Sequence, residues 1–377
     1  MTYSFNGPSS SRTLIKKAES PYSPQEIIQW LESIGYKHEL TESDIASGSF
    51  KTTLENLHVL VRMHLVAFPF ENCDMHYLLT GDFISTSDHS MDVTPQGMFR
   101  RTILRRRGSY CFGLNTLFLG MLRGLGYRAY AGSARVSDGS NPLKLGPLSH
   151  MFLLVQPDSE THFQPVCLVD VGFGGTCLTR PIYLRDGAVV ETSSEKHRLI
   201  RAPHPSSSLD SLDSALLWHL QISRSGKTES AWKTLYAFSE SESFPEDFMR
   251  AESIFWKNLM CVKYFVVDGE EQRRLGLEAS TKDVHLGKYI LFGSEIRRSV
   301  AGRQQILQIF RSEEDRIRAL RDYFGFDIDV KDAHNIIGRS AAAAARTATI
   351  PTFKSMTTST RNLYGDTAPW TQTFPDQ

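Results

Sequence analysis

Three residues that together could carry out nucleophilic chemistry follow one another in one stretch of the chain. Cys111 stands between "RRRGSY" and an apolar run at helical spacing, His150 opens the apolar run "HMFLLV", and Asp170 lies inside "CLVDVG". A cysteine attacks as its thiolate, and a helix N-terminus and a neighbouring histidine favour that form. A carboxylate can orient the histidine. The pattern therefore predicts a nucleophile, a base and an orienting residue, in that order.

Each placement taken alone has an ordinary structural interpretation. Free cysteines are commonly buried as small hydrophobic residues, and an aspartate before glycines can begin a turn. A titratable group next to an apolar strand, however, is costly to bury unless it is paired. Three such placements in one ordered window favour the catalytic interpretation.

Composition limits the classes of protein that fit. The chain has 377 residues, with 42 Lys+Arg and 42 Asp+Glu, so its net charge is zero with histidine neutral. That balance does not suggest a nucleic-acid partner, no apolar run approaches the ~20 residues of a membrane span, and the N-terminus lacks the apolar core of a signal peptide. We expect a cytoplasmic protein, monomeric and without a membrane partner. The five widely spaced cysteines predict free thiols and no metal site.

The residues around the motifs divide the chain into regions of different periodicity. Helical spacing begins after Ser23, an N-cap candidate, and continues to Gly126. Short runs rich in β-branched and aromatic residues follow, as in a barrel or strongly curved sheet. We predict a flexible N-terminal segment, a helical domain with the cysteine, a β-barrel domain with His150 and Asp170, an α/β lid and a flexible C-terminal tail, over residues 1–22, 23–127, 128–240, 241–338 and 339–377.

The motifs resemble those of the arylamine N-acetyltransferases, and the fungal members most closely. The family's pattern Arg-Gly-Gly-aromatic-Cys-x-x-x-Asn is similar to residues 107–115, and its histidine motif to residues 150–155. Its Val-Asp-x-Gly-Phe-Gly motif matches residues 169–174, and its Pro-Phe-Glu-Asn motif matches residues 69–72. The likeness extends over roughly residues 24–328. It implies an α+β fold of helical bundle, β-barrel and α/β lid, with a transglutaminase-like (cysteine-protease-like) Cys-His-Asp core.

The resemblance also implies roles for residues outside the triad. It implies an ion pair between Glu71 and Arg107, and an aromatic acceptor pocket lined by Phe70 and Phe173. It implies binding of the CoA pyrophosphate by backbone N–H groups near Gly146, Ser149, Gly172 and Gly174. Arg100, Arg101, Arg105 and Arg106 could steer an anionic donor, but we interpret them as the solvated face of their helix.

Two positions depart from the family pattern. Ser109 replaces the second glycine of the cysteine motif, which requires a negative φ or some strain there. Gly113 stands where bacterial relatives usually have glutamate or glutamine, and it weakens the first helical turn. Neither position belongs to the triad, so the departures concern the shape of the pocket.

We therefore predict an enzyme, a ping-pong acyltransferase. It would move an acetyl group from acetyl-CoA through a Cys111 thioester to a small aromatic amine or hydrazine, with xenobiotic metabolism as the family's expected role. A preference for malonyl-CoA or propionyl-CoA stays open. A cysteine peptidase or protein transglutaminase can share the triad order and stays open as a different class, as does a domain of this fold used only for binding.

Overall fold

The computed structural model describes residues 14–77, 91–158, 165–192, 195–209, 216–224, 232–248, 255, 257–277 and 284–343. Over these residues no helix is both long and apolar enough to cross a membrane.

Helices dominate the chain as far as residue 124. The Ser23 hydroxyl accepts the Glu26 N–H and the Glu26 carboxylate accepts the Ser23 N–H, so the predicted cap forms a complete capping box. The helices are Pro24–Ser33 (α1), Glu42–Ala46 (α2), Leu54–Ala67 (α3), Asp74–Tyr77 (α4), Pro95–Phe99 (α5), which continues as the π-helical turn Arg100–Leu104, and Cys111–Gly124 (α6). Helix α6 is buried along most of its length, and α1 and α5 pack against it.

The described part of the predicted N-terminal segment is packed. Ile15 is buried, its N–H donates to the Gln156 side chain, and its carbonyl accepts a bond from Arg128. Tyr22 is also buried, and its hydroxyl donates to the Pro95 carbonyl. Residues 14–22 therefore belong to the packed structure, and only residues 1–13 of the predicted flexible segment lie outside the described residues.

Eight antiparallel strands form a strongly curved, barrel-like sheet in the middle of the chain. The strands are Arg128–Ser137 (β2), Leu145–Gln156 (β3), Cys167–Val169 (β4), Ile182–Tyr183 (β5), Val189–Thr192 (β6), Glu195–Pro203 (β7), Leu216–Arg224 (β8) and Lys233–Phe238 (β9). Their order is β5-β4-β3-β2-β9-β8-β7-β6. Apolar side chains from one face, including Phe152, Leu220 and Phe238, fill the interior.

A second sheet of five strands lies in the last part of the chain, with one strand from elsewhere. Its order is β1-β10-β11-β12-β13, for Phe70–Glu71, Met260–Val266, Leu286–Phe292, Glu295–Val300 and Arg303–Ile309. Strand β1 belongs to the helical region and was not predicted as a strand. It carries the Pro-Phe-Glu-Asn motif into the lid sheet. Before β10, Pro245–Phe248 forms a 3-10 turn, and residues 249–254 and 256 lie outside the described residues.

The first residues of the predicted C-terminal tail are also packed. Arg316 is fully buried and donates to the carbonyl of Ala341, while the Ala343 N–H donates to the Glu313 carboxylate. Ala341, Ala342 and Ala343 are all buried. The described residues 339–343 of the predicted tail are therefore packed, and residues 344–377 lie outside the described residues.

Candidate active site

Cys111 is the first residue of α6, at the boundary between the helical region and the barrel sheet. Its side chain is 3% exposed. The N-cap residue Tyr110 makes no side-chain cap, so the N–H groups of the first turn are not occupied by a capping side chain. The backbone of Gly172 packs directly against this turn, because a Cβ at Gly172 would lie 2.7 Å from the Cys111 Cα. The loop after β4 and the start of α6 therefore lie in contact.

His150 is placed by an irregularity in β3. Ala134 pairs with His150 and Arg135 pairs with Leu148, so Ser149 is an extra residue on its strand. Such a bulge changes the direction of neighbouring side chains. The Nε2–H of His150 donates to Asp170 Oδ2 at 2.7 Å, and the Cys111 side chain lies close enough to the ring to raise the His150 pKa. The structure thus brings the three predicted residues together at one site.

The charges of the buried His150–Asp170 pair stabilise each other. Burial by itself lowers the pKa of His150, but the Asp170 carboxylate and the Cys111 side chain outweigh burial and raise this pKa to about 10. Burial raises the pKa of Asp170, yet the charge of His150 and several hydrogen bonds hold it below its ordinary value. The raised pKa of His150 and the lowered pKa of Asp170 both favour an imidazolium next to a carboxylate. An imidazolium stabilises a neighbouring thiolate.

Four groups hold the Asp170 carboxylate, and the sequence analysis identified only one of them. Besides His150, the Gly172 N–H donates to Oδ1 at 2.9 Å, Asn115 Nδ2 donates to Oδ1 at 3.1 Å, and the Tyr236 hydroxyl donates to Oδ2 at 3.1 Å. Asn115 lies four residues after Cys111, on the same helix face, and that spacing could have indicated it. Tyr236 comes from β9 and has no comparable signal in the sequence.

Asn115 also connects the helix to both strands that carry the site. Its Nδ2 donates to the Met151 carbonyl at 2.8 Å, and its Oδ1 accepts the Val171 N–H at 3.1 Å. One side chain on α6 therefore fixes the residue after His150 and the residue after Asp170. This arrangement sets the positions of Cys111, His150 and Asp170 relative to one another.

The loop after Asp170 is held by side chains from two regions. The Phe173 N–H donates to Cys177 Sγ at 3.0 Å, and Cys177 Sγ donates to the Asp170 carbonyl at 3.4 Å. The Tyr264 hydroxyl donates to the Gly174 carbonyl at 3.0 Å. Gly174 has a φ of 59°, in the region that favours glycine. Of the residues predicted to bind CoA, Gly172 and Gly174 therefore lie beside the triad.

The other two residues predicted to bind CoA lie on β3. Ser149 directly precedes His150 and is half-buried. Gly146 lines an open surface cavity of about 620 Å³ together with Arg135 and His204. Gly146 is separated from His150 by the bulged part of the strand, so the structure does not bring it into contact with Cys111.

Aromatic rings form a continuous row that includes Tyr110 and Phe112, the residues on either side of Cys111 in the chain. Centroid distances are 5.2 Å from Phe248 to Phe112, 5.7 Å from Phe112 to Tyr110, 5.1 Å from Tyr110 to Phe255 and 6.2 Å from Phe255 to Phe70. Phe248 and Phe255 come from the region after the barrel. Phe173, the second ring predicted for the acceptor pocket, packs against His150 instead, at 4.7 Å. The predicted residues Phe70 and Phe173 therefore belong to two different groups of rings around the triad.

Two arginines and two acidic residues stabilise the loop before Cys111. Arg107 Nε lies 3.6 Å from a Glu71 oxygen, and its Nη2 lies closer to Asp74, at 2.6 Å. Arg101 also forms ion pairs with Glu71 and Asp74 and donates to the Gly108 carbonyl. The interpretation of Arg101 as a solvated residue is therefore wrong. The sequence could not show it, because the π-helical turn after α5 rotates Arg101 inward.

Ser109 and Gly113, the two departures from the family pattern, are in direct contact. A Cβ at position 113 would lie 2.3 Å from the Ser109 hydroxyl oxygen and 2.5 Å from the sulfur of Met98. Ser109 does not adopt a positive φ, so it causes no backbone strain. The Ser109 side chain therefore fills the volume that a side chain at position 113 would need, so the serine at position 109 requires a glycine at position 113.

Comparisons with known proteins agree with the geometry. A family profile described as N-acetyltransferase matches residues 53–333. The N-malonyltransferase FDB2 of Gibberella moniliformis is 25% identical over 352 residues, covering 85% of this chain and 94% of that protein. The arylamine N-acetyltransferase of Mycobacterium tuberculosis (strain H37Rv) is 35% identical over 194 residues, covering 51% of this chain and 58% of that protein. The solved arylamine N-acetyltransferase from M. tuberculosis superimposes with a TM-score of 0.57 at 26% identity, covering 81% of this chain and 95% of that one.

These matches confirm the predicted fold class, and they cover the helical, barrel and lid regions together. The chain belongs to the arylamine N-acetyltransferase family, whose members are acyl-CoA-dependent transferases.

Proposed function

We propose that this protein transfers an acyl group from acyl-CoA to the nitrogen of an arylamine or arylhydrazine through a thioester on Cys111. The observation that carries the proposal is the hydrogen-bonded pair of His150 and Asp170 beside Cys111. A peptidase or protein transglutaminase needs room for a polypeptide, whereas the aromatic row beside Cys111 suits a small aromatic acceptor.

In the first half-reaction, His150 takes the proton of the Cys111 thiol. The raised pKa of His150, about 10, means that the imidazolium persists at neutral pH and stabilises the thiolate. The thiolate attacks the thioester carbonyl of acyl-CoA. Backbone N–H groups at the start of α6 stabilise the oxyanion, and the CoA thiolate leaves with the proton from His150.

In the second half-reaction, the amine attacks the acyl group on Cys111. Neutral His150 accepts the proton of the attacking nitrogen and returns it to the Cys111 sulfur as the amide forms. The thiol is only 3% exposed and rings flank it, so water has limited access to the thioester. Gly146, Ser149, Gly172 and Gly174 remain our proposed CoA contacts, and Phe70 and Phe173 our proposed acceptor contacts.

Named relatives support two of the three acyl donors left open by the sequence, acetyl-CoA and malonyl-CoA but not propionyl-CoA, among the proteins compared above. The acetyl group is the one named by the arylamine N-acetyltransferases that this chain resembles, and it supports acetyl-CoA as the first candidate. A match that covers 85% of this chain is to a protein named N-malonyltransferase, and it supports malonyl-CoA as the second candidate. We propose acetyl-CoA as the acyl donor and treat malonyl-CoA as the alternative.

Intact-mass measurement tests the proposal without an acceptor. The protein mixed with acetyl-CoA should gain one acetyl group, and peptide mapping should place it on Cys111. Addition of aniline should remove the adduct and yield acetanilide. Cys167→Ser, a change at another buried cysteine, is the matched control and should still be acylated on Cys111.

Malonyl-CoA assayed in parallel decides between the donors. Transfer of malonyl without acetyl would keep the family reaction and overturn the acetyl assignment. If neither donor modifies Cys111 while iodoacetamide still does, the proposal of an acyl-CoA-dependent thioester is wrong.

A further inference from the structure

One aromatic residue near the thiol is held by a clamp of two buried polar side chains. Phe255 is 7% exposed, and its ring packs against Tyr110 at 5.1 Å and Phe70 at 6.2 Å. It belongs to the segment that leads into β10. Because β10 lies in the lid sheet and Tyr110 precedes Cys111, this ring contact joins the lid to the catalytic loop.

Asn72 makes the first half of the clamp. Its Nδ2 donates to the carbonyls of Phe255 and Asn258, each at 2.8 Å, and its Oδ1 accepts the Met260 N–H at 2.8 Å. Its own N–H donates to the Met260 carbonyl at 3.3 Å. The side chain is fully buried. One asparagine thus binds the backbone at both ends of the segment 255–260.

His76 makes the second half. Its Nε2 faces the same two carbonyls, of Phe255 at 2.9 Å and of Asn258 at 3.2 Å, so Nε2 carries the hydrogen. The side chain is fully buried. Burial lowers the pKa of His76 to about 4, so the ring is neutral at physiological pH. A neutral donor suits two carbonyl oxygens and leaves no buried charge without a counter-ion.

The position of the clamp gives it an influence on the pocket. Both side chains bind the carbonyl of Phe255 itself, and Asn72 directly follows the β1 residues Phe70 and Glu71. The rings of Phe70 and Phe255 are therefore fixed by the same short motif. A shift of the Phe255 backbone would move its ring relative to Tyr110, and so would change the space beside the thiol.

We propose that Asn72 and His76 are positioning residues that fix Phe255 in the wall of the acceptor pocket and so determine which amine sizes can discharge the acyl-enzyme. The inference rests on the proposed function for the identity of the acceptor. It assigns to the clamp a role in the second half-reaction, separate from the attack of Cys111 on the acyl donor.

The test compares the two half-reactions in His76→Phe, His76→Gln and Phe255→Leu. His76→Phe removes the donor and keeps a ring, while His76→Gln retains an N–H donor. Acylation is measured as CoA release from acetyl-CoA without an amine. Discharge of the acyl-enzyme is then measured with aniline and with the larger 2-aminofluorene. His64→Phe, which replaces another fully buried histidine of the helical region, is the matched control.

We expect His76→Phe to change the ratio of the two discharge rates by about fivefold, the size expected for loss of one aromatic contact. Acylation should stay within about twofold, since the donor-side residues are unchanged. His76→Gln should restore the native ratio. Phe255→Leu should change the ratio of discharge rates in the same direction. The double variant of His76→Phe and Phe255→Leu should show no further change, because both substitutions act through the Phe255 ring. His64→Phe should alter the melting temperature without altering the ratio.

A readout that does not depend on acyl transfer keeps the two proposals separate. The ratio of Cys111 alkylation rates by N-phenylmaleimide and iodoacetamide reports the same wall in the free enzyme. It should shift in His76→Phe and Phe255→Leu even if no acyl donor modifies Cys111. If His76→Phe does not fold, Asn72→Ser removes contacts to the same carbonyls.

Two results would overturn the clamp proposal. One is an equal fall of acylation and of both discharge rates, with unchanged alkylation ratios, which would indicate a general effect on folding. The other is independent, multiplying effects of His76→Phe and Phe255→Leu, which would show that His76 does not act through Phe255.

Discussion

Replacing Asp170 with asparagine removes the charge that holds the proton on His150 and keeps the shape of the side chain. Burial lowers the pKa of His150, and the Asp170 carboxylate is the largest of the influences that raise it from 6.5 to about 10. Without that carboxylate, burial should bring the His150 pKa below 6.5. At pH 7.5 the imidazolium would then change from the dominant form to a minor one. The thiolate of Cys111 would lose its stabilising counter-ion.

We expect Asp170→Asn to reduce kcat by about 10⁴-fold, the size of the loss when the orienting carboxylate of a triad is made neutral. The protein should still fold, because the asparagine oxygen can accept the Gly172 N–H and the Asn115 amide. Kinetics with acetyl-CoA and aniline measure the loss. Asp186→Asn is the matched control: its carboxylate also accepts a backbone N–H, from Arg201, but on the exposed side of the barrel sheet.

The same change has a signature in the pH dependence of stability. The folded pKa of His150 lies above its unfolded value, so its contribution to the free energy of unfolding is fully present below about pH 6.5 and is lost as pH rises through about 10. Asp170→Asn should remove this decline. Urea unfolding across that range, with NMR titration of the His150 ring, measures both effects. An unchanged His150 midpoint and an unchanged decline would refute the coupling of Asp170 to His150.

Three further changes test the packing around the site. A chain ending at Ala343 should keep the native melting temperature and activity. A chain ending at Gly338 should melt several degrees lower, because buried Arg316 loses the Ala341 carbonyl. Equal melting temperatures of the two chains would show that residues 339–343 do not stabilise the lid. Arg101→Gln should lower the free energy of unfolding by about 3 kcal/mol, because it leaves buried Glu71 and Asp74 with one cation fewer. The control Arg100→Gln, at a side chain that is 53% exposed, should change this free energy little. Urea unfolding compares the two variants, and similar losses would contradict the ion-pair network. Gly113→Ala should lower the melting temperature, because the added methyl group would meet the Ser109 side chain. The second change Ser109→Gly should recover much of the lost melting temperature. Additive losses from the two changes would show that the positions are independent.

The local features of the site could be predicted from the sequence because they depend on short-range chemistry. The cap at Ser23, the start of a helix near Cys111 and the alternating residues of the strands each depend on a few neighbouring residues. The order of Cys111, His150 and Asp170 was visible for the same reason, since each lies in an apolar run where a reactive side chain is unusual. The fold class then followed from the succession of helices and short strands and from the matched motifs.

Contacts between distant segments were decided only by the tertiary structure. Tyr236 reaches Asp170 from β9, Arg101 turns inward at a π-helical turn, and Phe255 joins the row of rings through the clamp of Asn72 and His76. None of these has a local signal, because an ordinary tyrosine, arginine or phenylalanine looks the same in sequence whether it packs on the site or elsewhere. The same holds for the chain ends: composition predicted loose segments, but burial of Ile15 and of Ala341–Ala343 depends on surfaces formed by residues more than twenty positions away. The sequence thus determined which side chains could react, and the three-dimensional packing determined which others hold them in place.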